Sequence, residues 1–265
     1  RRRHTRFKCD WSSDVCSSDL LFRSLQELRI TGGEPLMSGH TWRLIDWFKH
    51  NAGKSSTRLA INSNLGPDTD IPRLLAATQG MAIDLYTSCE AVGLAAEYIR
   101  SGLDWDSWAN NVEQLLDSGQ FRGIHIMCTI NALCLTTLDQ LLDCIVNWKL
   151  EYGRDAVSFT LNILRFPSFQ SALVLPTEIK QQYRDRLIAW YAQNETNEFL
   201  QEHELRHVQR LIDYLAHVDT PHSEAFDMVK LKSDFRQFYA QYDQRRGKDF
   251  ALTFPDLAQW YHSHE

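Results

Sequence analysis

From residue 27 to residue 164, short apolar strand signals alternate with amphipathic helical ones, and this constrains the fold more than any other feature. Strand patterns fall at 27–31, 57–61, 82–87, 123–130 and 156–164, and helical patterns at 41–50, 71–78, 91–100, 105–116 and 135–148. Leu44, Ile45 and Phe48 share one face of the first helix, and Trp108, Val112, Leu115 and Leu116 share one face of the fourth. These are core stripes at the helical period. Strand–helix–strand repetition at such spacing gives βαβ units and a parallel sheet. With right-handed crossovers, five units form an open or partial (β/α) barrel, an α/β fold. From Thr177 the strand signals stop, and 177–193, 199–217, 224–242 and 254–262 read as a C-terminal helical extension. The expected organisation is a barrel core over 25–175 followed by a helical region over 176–265.

Parallel α/β architectures bind ligands at the C-terminal ends of their strands. Here the first strand runs into Gly32-Gly33-Glu34-Pro35, the second into Asn62-Ser63-Asn64, the third into Ser88-Cys89-Glu90, and the fourth ends at Asn131. Asn, Ser and Glu weaken strands, so their repetition at strand ends marks a rim carrying hydrogen-bonding groups. The paired glycines let backbone and ligand approach closely, and a carboxylate beside them can accept from an ammonium group. On structure alone, Gly-Gly-Glu-Pro is a βα turn with proline at the first helical position and an acid favouring the helix N-terminus.

Residues 1–24 have no strand or helix period and resemble translated sequencing-library adapter. Asp10-Trp11-Ser12-Ser13-Asp14-Val15-Cys16-Ser17-Ser18-Asp19-Leu20 matches one frame of it and Leu21-Phe22-Arg23-Ser24 another, while Arg1 to Phe7 matches the outer part. That segment is set aside from fold reasoning. It holds six of the 28 basic and three of the 34 acidic residues, leaving 22 basic against 31 acidic side chains. An acidic chain without a basic block is a poor nucleic-acid binder, and no apolar run approaches the roughly 18–20 residues of a membrane helix. Cys89, Cys128, Cys134 and Cys144 remain, with no Cys-x-x-Cys pair among them. They read as small core hydrophobes in a reducing, cytoplasmic compartment rather than as a disulfide framework.

Gly32-Gly33-Glu34-Pro35 after a strand, with the strand-end polar groups in this order, resembles the radical SAM family over residues 25–175. Glu97-Tyr98-Ile99-Arg100, Trp105, Asn110-Asn111-Val112, and the tail segments 245–250 and 254–257 are similar to its twitch-domain subgroup. The resemblance implies a partial barrel of the radical SAM type that lacks its first strand, with S-adenosylmethionine and a 4Fe-4S cluster as cofactors. It implies that Gly32, Gly33, Glu34 and Pro35 hold the amino group of the ligand. Asn62, Ser63 and Asn64 would lie near its ribose and methionine, Ser88 and Glu90 near the ribose hydroxyls, and Asn131 on the same rim. The family's Cys-x-x-x-Cys-x-x-Cys loop is absent from the sequence, so the chain is expected to be an inactive fragment of an enzyme. The complete protein would take an electron donor for its cluster and an unidentified small-molecule or peptide substrate.

A rival comes from His203-Glu204-Leu205-Arg206-His207, a His-Glu-x-x-His match. On a helix the two histidines share a face and can bind zinc, with the glutamate as base of a metallopeptidase. Against it, Arg206 puts a cation between the ligands, and Val208, Leu211, Ile212 and Leu215 explain the helix as an amphipathic one. A non-catalytic barrel is the third possibility.

Overall fold

The computed structural model describes residues 25–51, 57–216 and 227–263. The adapter-like segment 1–24, with Cys9 and Cys16, lies outside the described residues. Five strands, β1 (Glu27–Ile30), β2 (Arg58–Asn62), β3 (Ile83–Ser88), β4 (Phe121–Ile130) and β5 (Val157–Ile163), form one sheet in the order β1-β2-β3-β4-β5. Every neighbouring pair is parallel. Each crossover therefore steps one place in the same direction, the singly wound pattern of a partial (β/α) barrel, and right-handed crossovers put the connecting helices on one face. Those helices are α1 (Gly39–Asn51), α2 (Ile71–Thr78), α3 (Gly93–Ile99), α4 (Trp105–Asp117) and α5 (Leu138–Tyr152). Two of them start at side-chain caps: Asp70 accepts from Arg73 N at 3.0 Å ahead of α2, and Asp104 accepts from Ser107 N at 2.8 Å ahead of α4.

The strand register divides the sheet into two chemically different faces. One carries the cross-strand row Ile30, Ile61, Leu85, Ile124, Val157, then Thr87, Ile126, Phe159 and Cys128, Leu161. Ile61, Leu85, Ile124, Val157, Ile126, Phe159, Cys128 and Leu161 are fully buried, and burial of each large side chain contributes about 1.5–3 kcal/mol. The other face carries Arg29, Ala60, Asp84, Gly123, then Asn62, Tyr86, His125, Ser158 and Ser88, Met127, Thr160. Parallel sheets are usually apolar on both faces. Here half the strand positions are polar, so the second face suits a solvated or ligand-filled concavity.

The C-terminal extension consists of α6 (Thr177–Asn194), α7 (Glu202–Leu215), α8 (Met228–Arg246), α9 (Phe250–Thr253) and α10 (Pro255–His262). The expected helix 199–217 starts later because Gln201 and Glu204 form a capping box, and residue 217 is outside the described ones. The expected helix 224–242 starts at Met228, with 224–226 undescribed, and runs on until Gly247 ends it in the left-handed region at φ 62°. The segment before 254 adds a turn of helix, separated from α10 by Phe254, which the following Pro255, at the first position of α10, keeps out of helical geometry. Among the described residues no helix is long and apolar enough to cross a membrane.

Helix α7 lies along the outer edge of β5. Glu204 Oε1 accepts from Phe159 N at 3.1 Å, and Arg210 donates a hydrogen bond to Leu161 O. His207 Nδ1 sits 3.2 Å from the same carbonyl. Two of the outward backbone groups that a sixth strand would have taken, Phe159 N and Leu161 O, are met by helix side chains.

Candidate functional site

The rim at the C-terminal end of β1 is built by Gly32, Gly33, Glu34 and Pro35. Gly32 has φ 129°, a conformation that a Cβ would strain. Space above both glycines is open, since a Cβ at either would meet no atom within 4 Å. Pro35 is buried at the start of a short turn, Pro35–Met37, and Glu34 caps it by accepting from Leu36 N at 3.1 Å. The same carboxylate spans to the end of β2, accepting from Ser63 Oγ at 2.9 Å and from Asn64 N at 2.6 Å. The geometry thus gives Glu34 a task the resemblance did not imply, joining two strand ends. A carboxylate has about four acceptor directions, so three protein donors leave capacity for one more.

Ser63 is buried and is locked in place by donating its N–H to Tyr86 O at 2.8 Å. Asn62, one residue earlier, lies on the polar sheet face in register with Tyr86. Its Oδ1 is buried and meets no hydrogen-bond donor among the described residues. An unsatisfied buried acceptor costs about 1–3 kcal/mol, so this atom is primed for a donor that the protein does not supply. Ser88 is half-buried on the same face, in register with Met127. Beside Glu34 and Asn64 opens a cleft of about 450 Å³ that also involves Leu36, Trp42 and Arg73. The Arg73 guanidinium stacks 4.1 Å from the Trp42 ring centre.

Glu90 is 4% exposed at the end of β3, where Arg100 Nε and Nη2 both approach its Oε2 at 2.8 Å. Burial pushes its carboxyl above the usual range, and the Arg100 charge opposes that. Asn131 departs from the expectation. Its Oδ1 accepts from Leu133 N at 2.8 Å and Cys134 N at 3.1 Å, and its Nδ2 donates to Thr129 O at 3.3 Å. Asn131 is a local cap for the turn after β4, because a free Cys134 N–H beside a short amide side chain is satisfied there first. The structure therefore joins Glu34, Ser63 and Asn64 into one cluster, puts Asn62 and Ser88 on one face, ties Glu90 to Arg100, and turns Asn131 inward.

The thiols do not form a cluster-ligating set. Cys89, Cys128 and Cys134 are buried, Cys89 donates to Ala91 O at 3.2 Å, and Cys134 donates to Asn131 O at 3.2 Å. Burial pushes Cys89 up to about 12 and raises Cys128 and Cys134 as well, so they are neutral thiols. Among the described residues no group of three or more His, Cys, Asp or Glu side chains is arranged to hold a metal ion.

The peptidase reading of His203-Glu204-x-x-His207 is corrected by the same coordinates. Glu204 is 0% exposed, ion-paired at 3.1 Å with Lys149, itself 0% exposed. Its remaining acceptors serve Gln201 N at 2.7 Å and Phe159 N. Such a carboxylate has no access to a water that it could deprotonate. The apolar stripe of α7 buries one side of the helix, and Glu204 follows it in as the partner of a buried cation.

Sequence reading missed a second polar constellation. His125 Nδ1 lies 2.7 Å from Ser158 Oγ and its Nε2 3.4 Å from Asp84 Oδ1, while its ring packs 4.6 Å from Tyr86. Gly123 makes room for it, since a Cβ there would meet the imidazole at 3.2 Å. The available signal was the period-2 spacing of Asp84, Tyr86 and Ser88 against His125, Met127 and Thr129.

No family model matches the chain, and neither does any curated protein. Solved structures are similar to it, among them the following two. One is native anSMEcpe with bound AdoMet and Cp18Cys peptide, at 14% identity and TM-score 0.44, covering 66% of this chain and 48% of that one. The other is native anSMEcpe with bound AdoMet and Kp18Cys peptide, at 14% identity and TM-score 0.45, covering 69% and 52%. The chain spans about half the length of these structures.

Proposed function

We propose that this chain carries the S-adenosylmethionine-binding rim of a radical SAM enzyme. The observation that carries the reading is the hydrogen-bonded join of Glu34 with Ser63 and Asn64, which makes the ends of β1 and β2 one polar platform. Two features of the rim fit the ligand. The open space above Gly32 and Gly33 admits a methionine ammonium group to the backbone carbonyls and to the remaining acceptor direction of Glu34. The unpartnered Asn62 Oδ1 awaits a hydroxyl or ammonium donor. Ser88 would donate to the ligand, and Glu90 would accept from its ribose hydroxyls. Asn131, satisfied in its own turn, is left out of the set.

In the family that the sequence resembles, S-adenosylmethionine supplies a hydrogen-abstracting radical when a reduced 4Fe-4S cluster gives it an electron. The family's Cys-x-x-x-Cys-x-x-Cys loop is absent from the sequence, so the part proposed for the described residues is to bind and orient the ligand. The substrate, a small molecule or a peptide, and the electron donor stay within the same proposal.

Calorimetry with S-adenosylmethionine tests it. The chain is expected to bind, and Glu34→Ala to weaken binding about tenfold, the loss of roughly one charge-assisted hydrogen bond. Because Glu34 also joins two strands, Asn62→Ala is the second variant. It removes an atom with no protein partner, so it should weaken binding and leave the unfolding midpoint in place. Unchanged affinity in both variants overturns the assignment.

A further inference from the structure

The segments 97–100 and 245–250, far apart in sequence, meet in the fold. Tyr98 is 1% exposed, and its hydroxyl donates to Asp243 Oδ1 at 2.6 Å. The other oxygen of Asp243 accepts from Phe250 N at 2.8 Å. Tyr242 donates its hydroxyl to Tyr98 O at 2.7 Å, and Lys248 Nζ donates to Glu97 O. The Tyr98 ring packs edge-on against Phe254 at 5.0 Å and lies 5.2 Å from Tyr242.

Glu97 and Tyr98 belong to the last turn of α3, which ends at Ile99. The final carbonyls of a helix have no partner within it, and a cation or hydroxyl near that end satisfies them. Here α8 and the turn after it supply both donors. The next residue in the chain is Arg100, whose N–H closes the helix on Ala96 O at 2.9 Å and whose side chain holds Glu90. A continuous run of bonds therefore leads from the C-terminal helices through the end of α3 to the carboxylate at the end of β3.

We infer that the C-terminal helices position Glu90: Tyr242 and Lys248 cap the carbonyls of the last turn of α3, Asp243 anchors that turn through the Tyr98 hydroxyl, these bonds fix where Arg100 leaves the helix, and Arg100 fixes the carboxylate. Tyr242, Asp243 and Lys248 are positioning residues. Arg100 is the charged group that bonds Glu90, and the neighbouring groups after β3, on β4 and after β4 are the neutral thiols Cys89, Cys128 and Cys134. With Arg100 displaced, a carboxylate at 4% exposure loses its compensating charge and takes up a proton. A protonated Glu90 is a weaker acceptor for hydroxyl groups. That last consequence rests on the proposed adenosylmethionine rim, whereas the dependence of Glu90 on the tail does not.

The test is carbon-13 carboxyl NMR of the full chain labelled at glutamate, with Glu90→Gln to assign the resonance. Lys248→Met and Asp243→Asn should each raise the Glu90 titration midpoint by about one unit, the scale of a weakened ion pair. Phe254→Leu, which loosens the same aromatic packing and leaves the polar cap intact, should lower the unfolding midpoint and leave the Glu90 titration where it was. Lys248 is only partly buried, so its variant remains folded if Asp243→Asn does not. The inference is overturned if Glu90 titrates unchanged in folded Lys248→Met, or if Phe254→Leu moves it equally. Calorimetry separates the two ideas: unchanged S-adenosylmethionine affinity in Glu90→Gln removes Glu90 from the ligand site and leaves the tail-to-Glu90 link standing.

Discussion

Strands β1 and β5 each pair with a single neighbour, so each presents a row of backbone groups outward, and the chain treats those rows differently. Along β5, helix α7 fills the row with Glu204 on Phe159 N and Arg210 on Leu161 O. Along β1, no strand or helix hydrogen bond covers the outward row among the described residues, and the side chains are charged: Arg29 pairs with Glu27 at 2.8 Å and Arg58 approaches it at 3.8 Å. Charge on an exposed edge discourages unwanted pairing without blocking a specific partner. The closed edge carries the His-Glu-x-x-His pattern, and the open edge leads into Gly-Gly-Glu-Pro. Rigidity is thus concentrated on the side away from the proposed ligand rim, and access on the side next to it.

The largest expected effect falls at the closed edge. Glu204→Ala removes the partner of a fully buried Lys149, the acceptor for Phe159 N and half of the α7 capping box. Leaving a buried cation uncompensated costs about 3–5 kcal/mol, read as a shift of the denaturant midpoint. The Phe159 amide should then exchange with solvent faster relative to its β4 neighbours. A loss below about 1 kcal/mol would mean that α7 merely rests against β5, and the contrast between the edges would fail.

At the open edge the corresponding glutamate should matter less to stability. Glu34→Ala deletes an acceptor for three donors, but the site is half-exposed and water can replace it in part. The expected cost is about 1–3 kcal/mol, together with the loss of ligand affinity described above. A Glu34 cost exceeding that of Glu204 would invert the comparison.

The two glutamates also show what the sequence could reveal. Gly-Gly-Glu-Pro after a strand could be singled out as a candidate ligand loop because paired glycines and a carboxylate at a strand end are local features, readable within a few residues. The strands, the core stripes of the helices and the α/β class were legible for the same reason, from periods of 2 and 3.6. The buried role of Glu204 was not legible, because its partners, Lys149 and Phe159, lie 55 and 45 positions away in sequence, and nothing local marks a carboxylate for burial. The bonds of Asn131 lie at the other extreme: its partners are two and three residues away, where a short polar side chain bonds to its own turn. The Asp84–His125–Ser158 row needed the strand register, which the sequence does not carry.

A smaller effect separates the two ways that α7 meets Leu161. Arg210 is an exposed side chain that donates to this carbonyl, so Arg210→Ala should cost only about 0.5–1 kcal/mol. Its loss leaves His207 Nδ1, 3.2 Å from the carbonyl, as the remaining donor. The double variant with His207→Ala should cost more than the sum of the singles if the two cover for each other, and a strictly additive cycle would show that they act independently.

The smallest expected effect is a pH dependence, and it places the polar face beside the closed edge. Burial lowers the His125 pKa below its ordinary 6.5, with Arg29 acting in the same direction and Asp84 and Glu27 opposing. Burial, Arg210, His203 and Arg206 lower His207, and its bond to Leu161 O opposes them. A histidine with a depressed folded pKa binds fewer protons when folded than when unfolded. Its contribution to stability is complete above about pH 6.5 and is lost as pH falls through the lower folded value. The denaturant midpoint should therefore drop between pH 7.5 and pH 5. His125 is more enclosed than His207, so His125→Gln should flatten that drop more than His207→Gln does. Were His207→Gln to flatten it more, the acid-sensitive part of the sheet would be its closed edge, and the polar face would not share in the instability.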